Sequence, residues 1–269
     1  MTKISIITIC YNSEKTIEDT IKSVIKQNYD NLEYIIIDGA STDNTLNIIN
    51  KYKKHISKIV SEPDNGISDA FNKGIKLATG DIIGLINSDD LLNKDALINL
   101  DKFVRKNLGY DVYYGDVIIF NSKFNYLRKI NSSLSGLKLQ FILNHPSTFI
   151  TKKAYEEYGL YDNEYKICMD FELLSKFYLN GAKFIHIDYI MTLFRLGGIS
   201  NQNIVERFKE DKKVAICNGC NKIFVNIWYT MNVIKRLIIK LIFLLHMESF
   251  TIKVLRKKII PNELIKWYL

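Results

Sequence analysis

The sequence predicts an α/β fold in which helices flank both faces of a doubly wound, mostly parallel sheet. Over the first 87 residues, short β-branched runs alternate with single segments of helical periodicity. Strands joined by one helix each pair in parallel, because the crossover returns the chain in the same direction. A length of 269 residues, with 47% hydrophobic and 25% charged residues, fits one large globular domain or a domain with an appendage.

The elements of this first part follow from apolar spacing and capping residues. β-Branched runs predict strands at 4–9, 32–38, 58–60 and 81–87. Helical spacing predicts helices over 13–27 with Asn12 or Ser13 as N-cap, from Thr42 or Asp43 through Tyr52, and over 67–78 with Gly80 as the stop. Polar clusters at 8–12, 38–43 and 87–90 therefore follow strands and should face one crevice, where such sheets bind ligands.

From about residue 110 the pattern changes to longer strands with fewer helices. We expect antiparallel strands at 111–120 and 124–130, short strands at 145–150, 183–188 and 191–196, and helices at 151–158 and 170–181. These elements are expected to pack on the same sheet. The predicted organisation is therefore a first half over 1–110, a second half over 111–205, and a helical extension over 206–269.

The C-terminal extension carries the whole excess of positive charge. Residues 1–199 hold 24 Lys and Arg against 24 Asp and Glu, whereas residues 200–269 hold 13 against 5. This asymmetry indicates an anionic partner, either membrane lipid or nucleic acid. The apolar run 223–246 is interrupted by Lys235, Arg236 and Lys240, so it predicts a helix lying in a membrane interface rather than crossing the bilayer. The alternative is a helix packed on the main domain or on a partner subunit.

Cysteine usage and the N-terminus both indicate a reducing compartment. Four cysteines do not form a disulfide framework in a chain of this length, and Cys217 and Cys220 lack the second pair or nearby His that a zinc site needs. The first residues enter a strand directly, without the basic region and cleavage site of a secretory signal. We expect a cytoplasmic protein, with residues 223–258 attached to the inner face of the cell membrane.

Two adjacent carboxylates follow the fourth predicted strand. Asp89 and Asp90 have no Lys or Arg beside them in the sequence, so repulsion and desolvation oppose their placement unless a cation binds there. Hard oxygen ligands suit Mg²⁺ or Mn²⁺ shared with phosphate oxygens. The plain alternative is that one of the two caps a short turn.

Two further acidic positions have both a ligand-binding and a structural interpretation. Asp38 ends a buried strand before Gly39, where its carboxylate could accept a hydrogen bond from a nucleobase, or close an Asx turn. Asp64 lies in the loop before the helix predicted over 67–78, which carries Asn72 and Lys73, and its alternative role is to cap that helix.

Several of these motifs, taken in order, resemble one family. The segments "ITICYNSEKTIEDTIKSVIKQNYDNLEYIIIDGASTDNT" and "SEPDNGISDAFNKGIKLATGDIIGLINSDD" resemble the nucleotide-sugar-binding half of family 2 glycosyltransferases with the GT-A fold. "HPSTFITKKAYEEYGLYDNEYKICMDFELLSKF" and "FRLGGIS" resemble that family's acceptor-side segments. The resemblance covers about residues 3–200 and leaves the C-terminal extension unmatched.

The resemblance implies transfer of a sugar from a nucleoside diphosphate to an alcohol with inversion at the anomeric carbon. It implies a metal site at Asp89 with Asp90 beside it, although Asn87 stands where many relatives carry the first Asp. The residues implied in binding the sugar donor, with Asp38 reading the base, are Thr8, Asn12, Asp38, Asp64, Asn72, Lys73 and Ser88.

On the acceptor side, the resemblance assigns the general base to Asp170. A hydroxyl is a poor nucleophile near neutral pH and needs a carboxylate to take its proton. The alternative for Asp170 is the N-cap of the helix over 171–180, and Glu172 is the reserve candidate. His145, Gly198 and Ser200 are candidates for contacts with the acceptor or the diphosphate, the alternatives being a packed histidine and a plain turn.

The leading expectation is an inverting glycosyltransferase that uses a UDP- or dTDP-sugar and Mg²⁺ or Mn²⁺. Its acceptor would be a saccharide on a polyprenyl diphosphate carrier, in bacterial cell-surface polysaccharide synthesis such as O-antigen or capsule. One alternative is a nucleotidyltransferase acting on sugar phosphates, but residues 8–16 lack the glycine-rich loop that this class usually carries. The other is a non-catalytic nucleic-acid-binding protein, which the aromatic-poor apolar stretch within 207–258 disfavours. We therefore expect no nucleic-acid partner.

Overall fold

The computed structural model describes residues 1–120, 128–130, 132–134, 136–140, 143–195 and 204–244. Its strands are β1 (Ile4–Cys10), β2 (Leu32–Asp38), β3 (Lys58–Ser61), β4 (Ile82–Leu85), β5 (Leu91–Leu92), β6 (Val112–Phe120), β7 (Arg128–Ile130), β8 (Thr148–Thr151) and β9 (Phe184–Arg195). Its α-helices are α1 (Ile17–Ile25), α2 (Thr45–Lys51), α3 (Ile67–Leu77), α4 (Ala96–Lys106), α5 (Lys152–Tyr158), α6 (Met169–Leu179), α7 (Ile204–Cys217) and α8 (Lys222–Leu244). Gly198, Ser200 and the segments 196–203 and 245–269 lie outside the described residues.

Within the described part of the chain, nine strands form one sheet in the order β3-β2-β1-β4-β8-β6-β9-β5, with β7 paired to β6. The four strands from β3 to β4 are parallel. β8 then pairs antiparallel with both β4 and β6, so strands from both predicted halves belong to one sheet. The predicted α/β class is confirmed.

The core lies on both faces of the sheet, because successive side chains of a strand point to opposite faces. Ile4 and Ile6 of β1 pack in a cluster with α1 and α4, whereas Ile7 and Ile9 pack in the other cluster with α3 and α6. Burial on both faces explains why β1 and β2 read as continuous apolar runs. Helices on two sides leave the strand ends as the accessible edge.

Several boundaries differ from the sequence-based expectation. α1 begins at Ile17 rather than residue 13, because the Ser13 amide donates to Thr45, the first residue of α2, and the Glu14 amide donates to Asp43 in the loop before it. A single strand, β9 (Phe184–Arg195), stands where two strands were expected at 183–188 and 191–196, and its pairing with β6 has a register irregularity near the expected break. The expected strand at 145–150 begins only at Thr148, after a 3-10 turn over His145–Ser147.

The helix α4 was absent from the sequence-based prediction. Its buried residues Leu97, Leu100 and Val104 recur at helical spacing, so the signal was present in the sequence. Its N-cap Asp95 adopts a left-handed conformation with φ 57°, which no capping rule for Ser, Thr or Asp anticipates. α4 covers one face of the sheet between β5 and β6.

The C-terminal extension is helical where the structure describes it. α7 and α8 form a pair with a small core of Ala215, Val225 and Tyr229. Among the described residues, no helix combines the length and apolar character needed to cross a bilayer.

Candidate active site

Hydrogen bonds join the loops that follow β1, β2 and β4 into one rim at the carboxyl edge of the sheet. Asn12 donates its amide to Ser41 Oγ at 2.9 Å and accepts from the Thr42 amide at 2.9 Å. The Ser13 and Ser88 hydroxyls are 2.8 Å apart. The three polar clusters of the sequence therefore meet, because the strands that carry them are neighbours and parallel.

Asp38 is fully buried beneath this rim. Its carboxylate accepts from the Ser41 amide at 3.0 Å, from the Ser41 hydroxyl, from Ser61 Oγ at 2.7 Å and from Cys10 Sγ at 3.5 Å. Burial, together with the neighbouring Asp38 charge, raises the pKa of the Cys10 thiol. Four protein groups thus occupy the acceptor capacity of this carboxylate, and its assignment to base recognition stays a prediction.

Tyr11, which the sequence analysis did not select, lies beside the turn that follows Asp38. A Cβ at Gly39 would lie 2.4 Å from Asp64 Oδ2 and 3.6 Å from the Tyr11 ring, so glycine lets both approach the turn. Asp64 also accepts from the Gly66 amide at 2.9 Å, next to the start of α3. The Tyr11 side chain is 63% exposed, and a lone aromatic in the polar run "CYNSE" was the signal available for it.

Three of the residues selected for sugar-donor binding have protein partners instead. Thr8 is fully buried, 3.2 Å from the Tyr34 hydroxyl. Asn72 uses both ends of its amide on the backbone of Tyr161, at 2.9 and 3.0 Å. Lys73 lies 2.9 Å from Glu62 and 3.5 Å from Asp69, and it donates to the Pro63 carbonyl. These three side chains have protein partners in the described structure, and their assignment to sugar-donor binding stays a prediction.

The two carboxylates after β4 are in different environments. Asp90 is fully buried and accepts from the Arg195 amide at 3.1 Å and from Asn87 Nδ2 at 3.2 Å. Asp89 is partly exposed. Burial raises the pKa of both carboxyl groups, and the neighbouring Asp89 charge raises that of Asp90 further. Only Asp89 is therefore accessible to a ligand in the crevice.

Arg195 contacts the turn that holds Asp89 and Asp90. The sequence analysis did not select this residue either. Its Nε donates to the Asp89 carbonyl at 3.0 Å, its guanidinium lies 3.3 Å from Asp19, and it stacks over the Phe120 ring at 4.8 Å. Its positive charge lowers the pKa of Asp89, against the effect of burial. A single Arg at the end of an apolar strand gave no sign of these long-range partners.

The side chains at this turn fit a divalent ion that is shared with substrate phosphates, rather than one held by protein side chains alone. Within the described residues, no three His, Cys, Asp or Glu side chains converge on a point that could hold a metal. Mg²⁺ is commonly bound by one or two carboxylates together with substrate phosphates. Asp89 supplies one such carboxylate, and a raised pKa at two adjacent acids is the condition that a cation relieves.

Asp170 lies in the first turn of α6 with its side chain 19% exposed. Cys168 is the N-cap of α6, so Asp170 does not cap it. Asp170 Oδ1 is 3.6 Å from His145 Nε2, and in the described structure neither buried atom has a hydrogen-bond partner. Burial raises the pKa of Asp170, whereas His145 and Tyr161 lower it. Glu172 points elsewhere, to Lys176 at 3.4 Å.

The strand register brings this pair to the same edge as Asp89. β8 runs antiparallel to β4, with Gly84 opposite Phe149 and Ile82 opposite Thr151. The residues that precede β8, including His145, therefore lie beside the carboxyl end of β4. The His145 ring also contacts Phe71 of α3, with ring centres 5.0 Å apart. The Asp170 carboxylate, whose Oδ1 has no hydrogen-bond partner among the described residues, and the accessible Asp89 are thus placed at one end of the sheet.

The glycosyl transferase family 2 model matches residues 5–166, and the chain belongs to this family. A PGL/p-HBAD biosynthesis glycosyltransferase of Mycobacterium bovis is 26% identical over 211 residues, covering 76% of this chain and 81% of that protein. The poly(ribitol-phosphate) beta-N-acetylglucosaminyltransferase TarS of Staphylococcus aureus is 32% identical over 128 residues, covering 46% and 21%. The protein is therefore a glycosyltransferase, as the resemblance implied.

Solved structures show the same fold. TarS 1–349 in complex with UDP-GlcNAc superposes with a TM-score of 0.65 at 21% identity, covering 83% of this chain and 69% of that one. The mannosyltransferase PcManGT from Pyrobaculum calidifontis, in complex with GDP-Man and Mn²⁺, superposes with a TM-score of 0.65 at 17% identity, covering 85% and 70%. The expected GT-A fold is confirmed.

Proposed function

We propose that this protein is an inverting glycosyltransferase that transfers a sugar from a UDP- or dTDP-sugar to a hydroxyl group of a saccharide. The observation that carries the proposal is the pairing of β8 with β4, because it sets Asp170 and His145 beside the turn that holds Asp89. Inversion needs a base on the acceptor side and a stabilised leaving group on the other side of the anomeric carbon.

Asp170 is the general base in this proposal. Its ionised carboxylate takes the proton of the acceptor hydroxyl while the new bond from oxygen to the anomeric carbon forms and the bond to the diphosphate breaks. His145 favours the ionised form and, being unpartnered at Nε2, can contact the acceptor. When bound, Mg²⁺ or Mn²⁺ supplies positive charge against the leaving diphosphate, and Asp89 is the residue that would hold it.

The sugar donor is proposed to lie along the rim formed by the loops after β1, β2 and β4. Asn12, Asp64 and Ser88 supply polar groups there, and the exposed Tyr11 ring offers a surface on which a nucleobase can stack. Asp38 would read the base only by exchanging one of its present partners. Relatives solved with UDP-GlcNAc and GDP-Man support a nucleotide sugar as the ligand class.

The acceptor is proposed to be a cell-surface glycan in bacteria, carried on a polyprenyl diphosphate. The relatives are named for PGL/p-HBAD biosynthesis, for poly(ribitol-phosphate) modification and, for a Staphylococcus epidermidis enzyme 35% identical over 131 residues, for poly-beta-1,6-N-acetyl-D-glucosamine synthesis. Residues 1–110 would then bind the sugar donor, 111–205 the acceptor, and 206–269 the membrane.

Attachment to the inner membrane surface is proposed through α8. Five apolar side chains on this helix are each at least half exposed: Ile223, Phe224, Ile227, Met231 and Ile234. The basic residues of the extension follow directly in the sequence. An exposed apolar face next to positive charge suits the headgroup region of an anionic bilayer, which would place the protein at the cytoplasmic face.

A panel of nucleotide sugars tests the assignment. UDP-, dTDP- and GDP-sugars are added with and without Mn²⁺, and the melting temperature is followed, since a ligand that binds the native state raises it. The best ligand is then used to measure nucleotide release. We expect Asp170→Asn to keep the ligand-induced shift and to lose turnover by about two to four orders of magnitude.

Two results would contradict the proposal. One is a panel in which no nucleotide sugar shifts the melting temperature and none is turned over. The other is near-normal turnover by Asp170→Asn, which would remove Asp170 from the mechanism. Glu157→Gln is the matched control, because Glu157 is an exposed acid of α5, and it should behave as wild type.

A further inference from the structure

The helix α7 contacts the segment that leads into α6, the helix that carries Asp170. Its residue Asp211 accepts from Cys168 Sγ at 3.2 Å, and Lys213 lies 3.0 Å from Glu164. Lys213 also lies over the Tyr165 ring, 4.6 Å from its centre. The residues of α7 that make these contacts fall outside the matched family segment, which ends at residue 166.

Glu210 makes the densest of these contacts. Its carboxylate accepts from three successive backbone amides, those of Lys166 at 2.9 Å, Ile167 at 2.9 Å and Cys168 at 2.8 Å. Glu210 is only 8% exposed. Charge-assisted bonds to a buried carboxylate are stronger than neutral ones, and the three amides would lose their partner if the carboxylate were removed.

These amides lie directly before the proposed base. Cys168 is the N-cap of α6, and Asp170 follows two residues later. Asp170 Oδ1 has no hydrogen-bond partner among the described residues, and the Tyr161 hydroxyl bonds the carboxylate, so the aim of Oδ1 depends largely on the backbone of the first turn. Glu210 also lies at the amino end of α6, where the partial positive charge of the helix favours an anion.

We propose that Glu210 is a positioning residue for the transfer reaction, which holds the backbone of residues 166–168 so that Asp170 stays aimed at the acceptor. This rests on the proposed role of Asp170. The C-terminal extension then takes part in the chemistry through α7, in addition to any contact of α8 with a membrane. Misplacing a catalytic group by about 1 Å costs on the order of a hundredfold in rate.

The test compares Glu210→Ala, Glu210→Gln and the matched control Glu206→Ala in the full chain. Glu206 lies one turn earlier on α7, is exposed and, within the part of the chain that the structure describes, pairs with its helix neighbour Lys209 at 3.3 Å. The probes are UDP-GlcNAc and GDP-mannose with Mn²⁺ and water as acceptor, and released UDP or GDP is measured. Isothermal titration with UDP and Mn²⁺ measures nucleotide binding separately.

We expect Glu210→Ala to lower kcat by about ten- to a hundredfold, with the KM for the nucleotide sugar and the affinity for UDP unchanged. Glu210→Gln should restore part of kcat, because its amide oxygen still accepts hydrogen bonds. Glu206→Ala should match wild type. General loss of structure would instead move KM, UDP affinity and kcat together.

Wild-type kcat in Glu210→Ala, or a parallel loss of UDP affinity, would overturn the positioning role. If Asp170→Asn is inactive while Glu210→Ala is normal, the proposed function survives and only the role of Glu210 fails. If no UDP-, dTDP- or GDP-sugar shifts the melting temperature of the wild-type chain or is turned over by it, the proposed function fails and the role of Glu210 fails with it.

Discussion

At Asp170, burial and electrostatics act in opposite directions on the same carboxyl group. Burial raises its pKa, while His145 and the Tyr161 hydroxyl lower it. A base must be ionised before it can take a proton, yet a well-solvated carboxylate is a weak one. The pair of Asp170 and His145 combines a desolvated carboxylate with a neighbour that keeps it ionised, which is the balance that general base catalysis needs.

The variant His145→Gln isolates this electrostatic effect. Glutamine cannot exert the electrostatic effect by which His145 lowers the pKa of Asp170, so that pKa should rise and the ionised fraction of Asp170 at a given pH should fall. The acidic limb of the kcat profile should therefore move to higher pH, with kcat at high pH less affected. The measurement is nucleotide release across the pH range in which the wild-type rate rises.

The control for this variant is His55→Gln. His55 is an exposed residue of the 3-10 turn Lys53–His55 and is remote in the sequence from the acceptor side. Its profile should superpose on that of wild type. An unshifted acidic limb in His145→Gln would show that His145 does not set the ionisation of Asp170.

At the scale of elements, α8 has one face packed and one face exposed. Val225 and Tyr229 are buried against α7 and the segment 136–140. The Tyr229 hydroxyl donates to the Leu139 carbonyl in that segment at 2.7 Å. Deleting α8 would therefore uncover apolar surface as well as remove the proposed membrane contact. Substitutions on the exposed face separate the two effects.

The triple variant Ile227→Ser, Met231→Ser and Ile234→Ser tests the membrane proposal. Removing three apolar side chains from a lipid contact should weaken binding to phosphatidylglycerol vesicles by at least about tenfold, measured by co-sedimentation. The melting temperature should hardly change, because the three side chains are exposed in the protein.

The matched control is Asn226→Ser with Thr230→Ser, which alters two exposed polar residues of the same helix. It should sediment with vesicles as wild type does. If the wild-type chain never sediments with anionic vesicles, or if the triple variant binds them equally well, α8 is not a membrane contact and its exposed face needs another explanation.

At the scale of the whole molecule, a buried acid with two partly exposed basic partners links three strands in the second half of the sheet. Asp116 of β6 is 1% exposed and lies 2.8 Å from Lys129 Nζ of β7 and 2.9 Å from His186 Nε2 of β9. Burial raises the pKa of Asp116, but hydrogen bonds from Lys129 and His186 outweigh it, so the pKa is lowered. A lowered pKa means that the ionised form stabilises the folded state.

We expect Asp116→Asn to lower the free energy of unfolding by about 2 kcal/mol at neutral pH, because it removes the buried anion that accepts hydrogen bonds from Lys129, His186 and the Ser132 amide. The stabilisation from Asp116 is present above the unfolded-state pKa of about 4 and is lost as the pH falls through the lower folded-state pKa. The difference between wild type and variant should therefore shrink on acidification.

Denaturant unfolding at neutral and acidic pH measures this difference. Asp188→Asn is the control, since Asp188 is an exposed acid on the same strand β9, and it should leave the stability within about 0.5 kcal/mol. An Asp116→Asn variant as stable as wild type at neutral pH would show that these contacts contribute nothing net.

The sequence allowed the strands and helices from β1 to β4 to be predicted, because local apolar spacing specifies each of them, whereas β5 and α4 of the same half were missed. It did not allow the strand order of the second half to be derived, since β8 inserts between β4 and β6 through contacts with no local signal. The site shows the same division. The polar clusters were visible in the sequence, whereas the partners of Asp90 and Cys168 come from residues 105 and 42 positions away.

The central position of β8 has a consequence for how substrates enter. β8 is hydrogen-bonded on one side to a strand of the first half and on the other side to a strand of the second. Opening a cleft by swinging the two halves apart would break these ladders, which cost too much to rupture in every catalytic cycle. Both substrates would then enter and leave by movement of the loops at the carboxyl edge of the sheet, while the sheet itself stays intact. Differences among related enzymes in the acceptor that they glycosylate should therefore be sought in those loops.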